Sequence, residues 1–212
     1  MIPKEQILLV SAELFAKLGY ATTTTRDIAA AAGIRQPTLF HHFESKRVIL
    51  ETLVERMVTR MAERLEAADG RWRRAGADVA LYCVIRTDIY HLATDTYSIG
   101  TFISIREIEA MGFTQALEER AKTERLYRSI VQRGIRSGIF HVGNKDITVK
   151  LIFGMVESIL VWLQRAKPSA AASAATEAAD LVLSSLLGDR RGLAKIHAFL
   201  QAEDDLFPPA GA

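Results

Sequence analysis

Apolar positions recur at helical spacing almost from the first residue. Between residues 3 and 18, Ile7, Leu8, Ser11, Leu14, Phe15 and Leu18 form one stripe, while Lys4, Glu5, Glu13 and Lys17 lie mostly off it. Pro3 suits a first helical turn, and Gly19 suits the position just past a helix end. "ATTTTRDIAAAAG" then predicts a short Ala-rich helix over about 25–32. Thr24 and Asp27 have the form of a capping box, with Asp in the Glu/Gln place, and Gly33 stops the helix. A third short helix follows at about 36–43. From Ser45, a plausible N-cap, a long helix runs to about Ala67 on the stripe Leu50, Leu53, Val54, Met57 and Met61. "ADGRWRRAGAD" interrupts the pattern and marks a boundary between modules. Beyond it, helical spacing covers roughly 76–93, 101–110, 113–137, 145–166, 171–187 and a short stretch near 192–203. Turn-type clusters separate these segments: "TDTYSIG", "MGF", "SGIFHVGN", "AKPSA" and "GDRRG". Strand-like alternation is confined to "GIFHV". The Ala-rich "AAASAATEAAD" reads as a helix built for close packing, and "FPPAGA" as a flexible tail over 206–212. The expected fold class is all-α.

Composition narrows the chemistry. With 212 residues, 49% of them hydrophobic, the chain can bury a sizeable core. Its formal net charge of +2 decides nothing about partners. The single cysteine, Cys83, allows no internal disulfide and lacks the neighbours of a zinc site; it fits a small buried hydrophobe in a reducing compartment. The first residues do not read as a signal peptide, and no run of about 18 uninterrupted apolar residues offers a membrane span, so a cytoplasmic location is expected. No Gly-rich phosphate loop, nucleophile elbow or supported pair of acids appears. The expectation is therefore a non-enzyme without cofactor or metal. The nearest rival is a helical-bundle enzyme whose Asp88 and His91, three apart on one helix face, hold a metal; further ligands from other helices are not identifiable. A second rival is a helical interaction protein.

Residues 33–46, "GIRQPTLFHHFESK", carry the sharpest signal. Two short helices joined by Gly33-Ile34-Arg35 have the spacing of a helix-turn-helix, whose second helix enters the major groove of DNA. Pro37 falls in the first turn of that helix, where its missing N–H is harmless. Leu39 and Phe43, four apart, face inward toward Ile28 and Phe15. Thr38 and His41 face outward, His42 packs, and Lys46 opens the next helix, where ammonium and backbone N–H groups suit a phosphate. Adjacent helical positions diverge by about 100°, so His41 and His42 do not form a good metal chelate.

The stretch "ILLVSAELFAKLGYATTTTRDIAAAAGIRQPTLFHHFESKRVIL" resembles the DNA-binding domain of the TetR family of bacterial transcriptional regulators. The match covers about residues 5–57, through Phe15, Gly19-Tyr20, Thr24, Ile28-Ala29, Gly33-Ile34, Thr38-Leu39-Phe40, His42-Phe43 and Ser45-Lys46. "RGIRSGIFHVGNKDITVKLIFGMVESILVWL" looks like the family's link from its seventh to its eighth helix. The resemblance implies DNA contacts at Thr25, Arg26, Arg35, Gln36, Pro37, Thr38, Phe40, His41 and Lys46. Arg26 would read a guanine, Gln36 an adenine and Pro37 a thymine methyl, with Thr25, Thr38 and Lys46 on phosphates. Phe40 stands where the family often has Tyr, which removes a phosphate hydrogen bond. Arg35 stands where Ser or Thr often caps the helix, weakening the cap and adding a cation.

The resemblance divides the chain into a helix-turn-helix domain at 1–47, a larger helical regulatory and dimerisation domain at 48–205, and the tail. It implies a transcriptional repressor released from a pseudo-palindromic operator by a small, mainly apolar effector. Arg86, Tyr90, Phe102, Tyr127, Met155 and Trp162 are the candidate effector contacts; Arg86 alternatively pairs with an acid such as Glu107 or Glu109. A homodimer is expected through helices near 145–166 and 171–187. Their apolar and small residues are Ile152, Gly154, Met155, Ile159 and Trp162 on the first, and Ala174, Ala178, Leu181 and Leu186 on the second.

Overall fold

The computed structural model describes residues 4–95, 105–163 and 166–203, and among them every regular element is a helix. In chain order these are α1 (Lys4–Leu18), α2 (Thr25–Ala31), α3 (Gln36–His42), α4 (Lys46–Trp72), α5 (Ala77–Thr94), α6 (Ile105–Met111), α7 (Thr114–Arg136), α8 (Lys145–Trp162), α9 (Pro168–Leu186) and α10 (Arg190–Ala202). No helix among the described residues is long and apolar enough to cross a membrane.

The chain packs as two compact units. The first comprises Met1–Arg60 and Asp95–Arg120, the second Met61–Thr94 and Ala121–Ala212. In the first, Ile7, Leu8 and Phe15 of α1 meet Ile28 of α2, Leu39 of α3, Phe43, and Ile49, Leu50 and Leu53 of α4 in one core. Ile108, Phe113 and Ala116, from α6 and the start of α7, belong to the same core. The expected inward pair Leu39 and Phe43 is buried there, whereas Leu18, expected on the α1 stripe, is 49% exposed. Leu18 is the last residue of its helix, past the reach of the core that Phe15 closes.

The second unit is built around α5, which is buried along most of its length. Ala171, Ala175 and Ala179 of α9 recur every fourth residue with no exposed surface, and small side chains on one helix face let two helices approach closely. Tyr127, Ile130 and Val131 of α7, Ile152, Phe153, Val156 and Ile159 of α8, and Ile196 and Leu200 of α10 complete the core.

Three boundaries differ from the sequence reading, each for a tertiary reason. α4 does not stop near Ala67 but continues to Trp72. Asp69 is buried there and bonded to Arg73 Nε (3.0 Å) and to Arg133 of α7, while Trp72 packs edge-on against Phe199 of α10. These contacts hold a Gly-containing turn helical. α9 starts at Pro168, which occupies the first turn and so begins a helix in a cluster read as a break. "GIFHV" forms no strand: α7 ends in a turn in which Ile139 N–H and Phe140 N–H both reach Gly134 O (2.9 and 3.0 Å). The Phe140 ring lies on Gly134, where a Cβ would sit 2.0 Å from it. Position 134 therefore accepts only glycine without rearrangement.

Candidate nucleic-acid interface

Local chemistry sets α2 and α3. Thr24 Oγ1 accepts from Asp27 N–H (3.2 Å) while the Asp27 carboxylate accepts from Thr24 N–H (2.8 Å), completing the capping box expected from sequence. The Thr24 hydroxyl and then its backbone N–H hold the Asp27 carboxyl below its ordinary value. At the other end of α2, Gly33 takes φ 67°, Gly33 N–H reaches Ala30 O (3.0 Å) and Ile34 N–H reaches Ala29 O (2.9 Å). This pair of bonds is a Schellman turn, and its left-handed residue favours glycine. α3 follows with Arg35 at its N-cap making no side-chain cap bond and with Pro37 in its first turn.

The turn leaves one face of α3 outward. Arg35, Pro37, Thr38, Phe40 and His41 are exposed, as is Arg26 on α2. Phe40 keeps 44% of its surface open. Gln36 is half-buried because its Nε2 donates to Thr25 Oγ1 (2.9 Å), so these two expected contact residues are tied together across the turn. His42 is half-buried, and its ring meets that of His41 nearly edge-on at 5.8 Å. No group of three or more metal-ligating side chains occurs among the described residues.

Lys46 departs from its expected role. Its ammonium does not point outward to a phosphate but donates to Tyr20 O and Thr23 O (2.7 Å each) and Ala21 O (3.3 Å). It also sits 4.4 Å over the Tyr20 ring. Three backbone acceptors use the three ammonium protons, and burial lowers its pKa. The side chain thus ties the start of α4 to the turn between α1 and α2. What remains at the helix start is the backbone, with Ser45 Oγ accepting from Val48 N–H (3.2 Å) as the N-cap. Sequence reasoning missed the role of Tyr20 here; the Gly19-Tyr20 pair was the available signal.

The candidate effector residues fall in different surroundings. Tyr127 is fully buried and its hydroxyl donates to Asp88 Oδ2 (2.8 Å), itself buried. Asp88, weighed as a metal ligand, is instead an acceptor within the core. Burial pushes its carboxyl up to about 7, against the Tyr127 hydrogen bond and helped by Glu157. Tyr90 is buried, and the Arg86 guanidinium lies 5.5 Å from the Tyr82 ring centre. Trp162 is 62% exposed on α8. Met155 borders a groove of about 380 Å3 between α8 and α9, whose lining includes none of Arg86, Tyr90, Tyr127 and Trp162. Phe102 lies outside the described residues.

On the expected dimer helices, the structure separates two stripes. Ile152, Ile159 and Leu186 face inward, whereas Gly154, Trp162 and Leu181 are exposed, together with Ile147, Leu151 and Val161. α8 is apolar on several sides, so the sequence alone did not tell its core stripe from its outer one.

A Schellman-turned helix pair whose second helix presents an exposed face defines a helix-turn-helix of the DNA-binding kind. Residues 7–53 match the family of bacterial regulatory proteins of the tetR type, and residues 81–186 match the tetracyclin repressor-like C-terminal domain. The chain is 28% identical over 159 residues to the HTH-type transcriptional repressor KstR2 of Rhodococcus jostii, covering 71% of this chain and 72% of that protein. The tetracycline repressor protein class C of Escherichia coli is 36% identical over 58 residues, 27% of this chain and 26% of that one. Among solved structures, the ketosteroid transcriptional regulator KstR2 of Mycobacterium tuberculosis superposes with a TM-score of 0.77 at 20% identity, covering 87% of this chain and 94% of that one. The protein belongs to the TetR family and is a DNA-binding transcriptional regulator.

Proposed function

We propose that the chain is a homodimeric repressor that leaves a pseudo-palindromic operator when a small, mainly apolar effector binds. Residues 1–47 read DNA, and residues 48–205 bind the effector and the second copy. The observation that carries the reading is the exposed face of α3, where Arg35, Pro37, Thr38, Phe40 and His41 stand outward beside Arg26. Arg26 reads a guanine and Gln36 an adenine, with Thr25 holding Gln36 in place; Thr38 and the backbone N–H groups at Lys46 hold phosphates. One short recognition helix offers few contacts, so two copies bind successive major grooves roughly 34 Å apart.

The effector enters the second unit by parting the core of α5, α7 and α8 at Tyr90 and Tyr127, both buried. A relative that is a ketosteroid transcriptional regulator supports an apolar effector class. α4 contributes to both compact units, so a shift in its C-terminal turns is carried along one continuous helix. Hundredfold release from DNA requires about 2.7 kcal/mol of coupling, within the usual range for such switches.

The test is a mobility shift with the DNA upstream of the chain's own gene. Retardation by the wild-type protein, lost for Thr38→Ala with Arg35→Ala, supports the reading. Equal binding to scrambled DNA of the same length overturns it.

A further inference from the structure

The carboxyl of Asp88 has more hydrogen-bonding capacity than its surroundings use. The residue is 3% exposed, and Val84 and Ile85, one turn before it on α5, are fully buried. Its Oδ2 accepts from the Tyr127 hydroxyl (2.8 Å), and among the described residues no hydrogen bond reaches its other oxygen, Oδ1. A buried polar group costs stability unless it is hydrogen-bonded, and an apolar side chain of similar size fills such a place more favourably. The Tyr127 hydroxyl needs one acceptor, which accounts for Oδ2 and leaves Oδ1 without a role in the fold.

Burial pushes this carboxyl up to about 7, against the Tyr127 hydrogen bond, and Glu157 of α8 adds to the rise. A neutral acid carries one O–H and is otherwise an acceptor. With Oδ2 accepting from Tyr127, the O–H falls on Oδ1, a buried donor with no acceptor among the described residues. The Tyr127 ring meets that of Phe153 on α8 edge-on at 5.8 Å, so the wall beside this donor is apolar. A donor in such a place separates a ligand that offers an acceptor from one that lacks it far more sharply than apolar contact separates ligands by size. We infer that Asp88 is the polar anchor of the effector site, and that the effector carries an uncharged acceptor, a carbonyl or ether oxygen, on its apolar body. The inference rests on the effector reading above and narrows its chemistry. The effector oxygen accepts from Asp88 Oδ1–H, while its hydrocarbon lies against the Tyr127 and Phe153 rings. A carboxylate on the effector would meet the repulsion of Glu157, one turn past Phe153 on α8.

Equilibrium dialysis of the full chain at about pH 6, where the Asp88 carboxyl is neutral, tests this with three probes built on one skeleton: 2-acetylnaphthalene, 2-ethylnaphthalene and 1-(2-naphthyl)ethylamine. The ketone binds the wild type about tenfold more tightly than the ethyl compound, or better. Asp88→Leu abolishes that preference. Asp88→Asn keeps it, because the amide oxygen accepts from Tyr127 and the amide N–H2 donates where the carboxyl O–H did. A merely structural role for Asp88 gives no ketone preference in any of the three proteins. The wild-type comparison stands by itself where a variant fails to fold. Equal affinity for the ketone and the ethyl compound overturns the anchor and leaves a purely apolar effector standing. Tightest binding of the amine overturns the uncharged class. Binding of none of the three overturns the anchor together with the effector reading.

Discussion

Asp88→Asn should flatten the pH dependence of stability. In the fold Asp88 is 3% exposed, its Oδ2 accepts from the Tyr127 hydroxyl at 2.8 Å, and burial raises its carboxyl from 3.8 to about 7. The folded value lies above the unfolded one, so the folded chain holds this proton after the unfolded chain has released it. The stability it contributes is complete below about pH 4 and is lost as pH rises through about 7. That rise corresponds to about 4 kcal/mol. Asparagine keeps an acceptor for Tyr127 but does not ionise. Its amide N–H2 enters the core, at a cost of about 1–3 kcal/mol if one proton is left unpaired. At pH 4.5 the wild type should therefore be the more stable protein; at pH 8 the variant should equal or exceed it. The assay is urea unfolding at half-unit pH steps, at one protein concentration because assembly shifts apparent stability. Taking the difference between the two proteins cancels the titration of the other carboxylates. Parallel curves across pH 4–8 would refute the reasoning, because they would mean that Asp88 ionises in the fold at its ordinary value.

Three substitutions probe the interface. Lys46→Met should cost about 2 kcal/mol of stability, since it removes ammonium hydrogen bonds to Tyr20 O and Thr23 O, yet leave the slope of log affinity against log salt unchanged; a slope reduced by about one would show a phosphate contact instead. Phe40→Tyr places a hydroxyl on the exposed edge of α3 and should tighten DNA binding by up to about tenfold, measured by fluorescence anisotropy. Gln36→Ala should relax base preference at one position of each half-site, at about 1–3 kcal/mol of discrimination, and uniform weakening on all sequences would count against base reading.

The helix-turn-helix was legible because its determinants are local. Thr24 and Asp27 are three residues apart, Gly33 lies two past the end of α2, and the burial of Phe15, Leu39 and Phe43 follows from helical period. What was not legible depends on distant chain. The ammonium of Lys46 turns to carbonyls 26 and 23 residues earlier, and nothing near it in sequence reveals that. α4 outlasts its Gly-containing turn because Asp69 meets Arg133, 64 residues on. On α8, both Ile152 and Leu151 are apolar, and only the packing against α5 assigns one to the core and the other to the surface. Tyr90 and Tyr127 were legible as aromatic and Asp88 as a hydrogen-bonding residue, but that Tyr127, 39 residues on, is its partner was not.

The claim that this chain recognises DNA through α3 is tested most directly by footprinting on its own upstream region. The account predicts protection of two half-sites related by two-fold symmetry, about one helical turn or more apart, abolished by Arg35→Ala with Thr38→Ala in a protein of unchanged helical content. Protection that survives those substitutions, or none above that seen with unrelated DNA at the same salt, would contradict it.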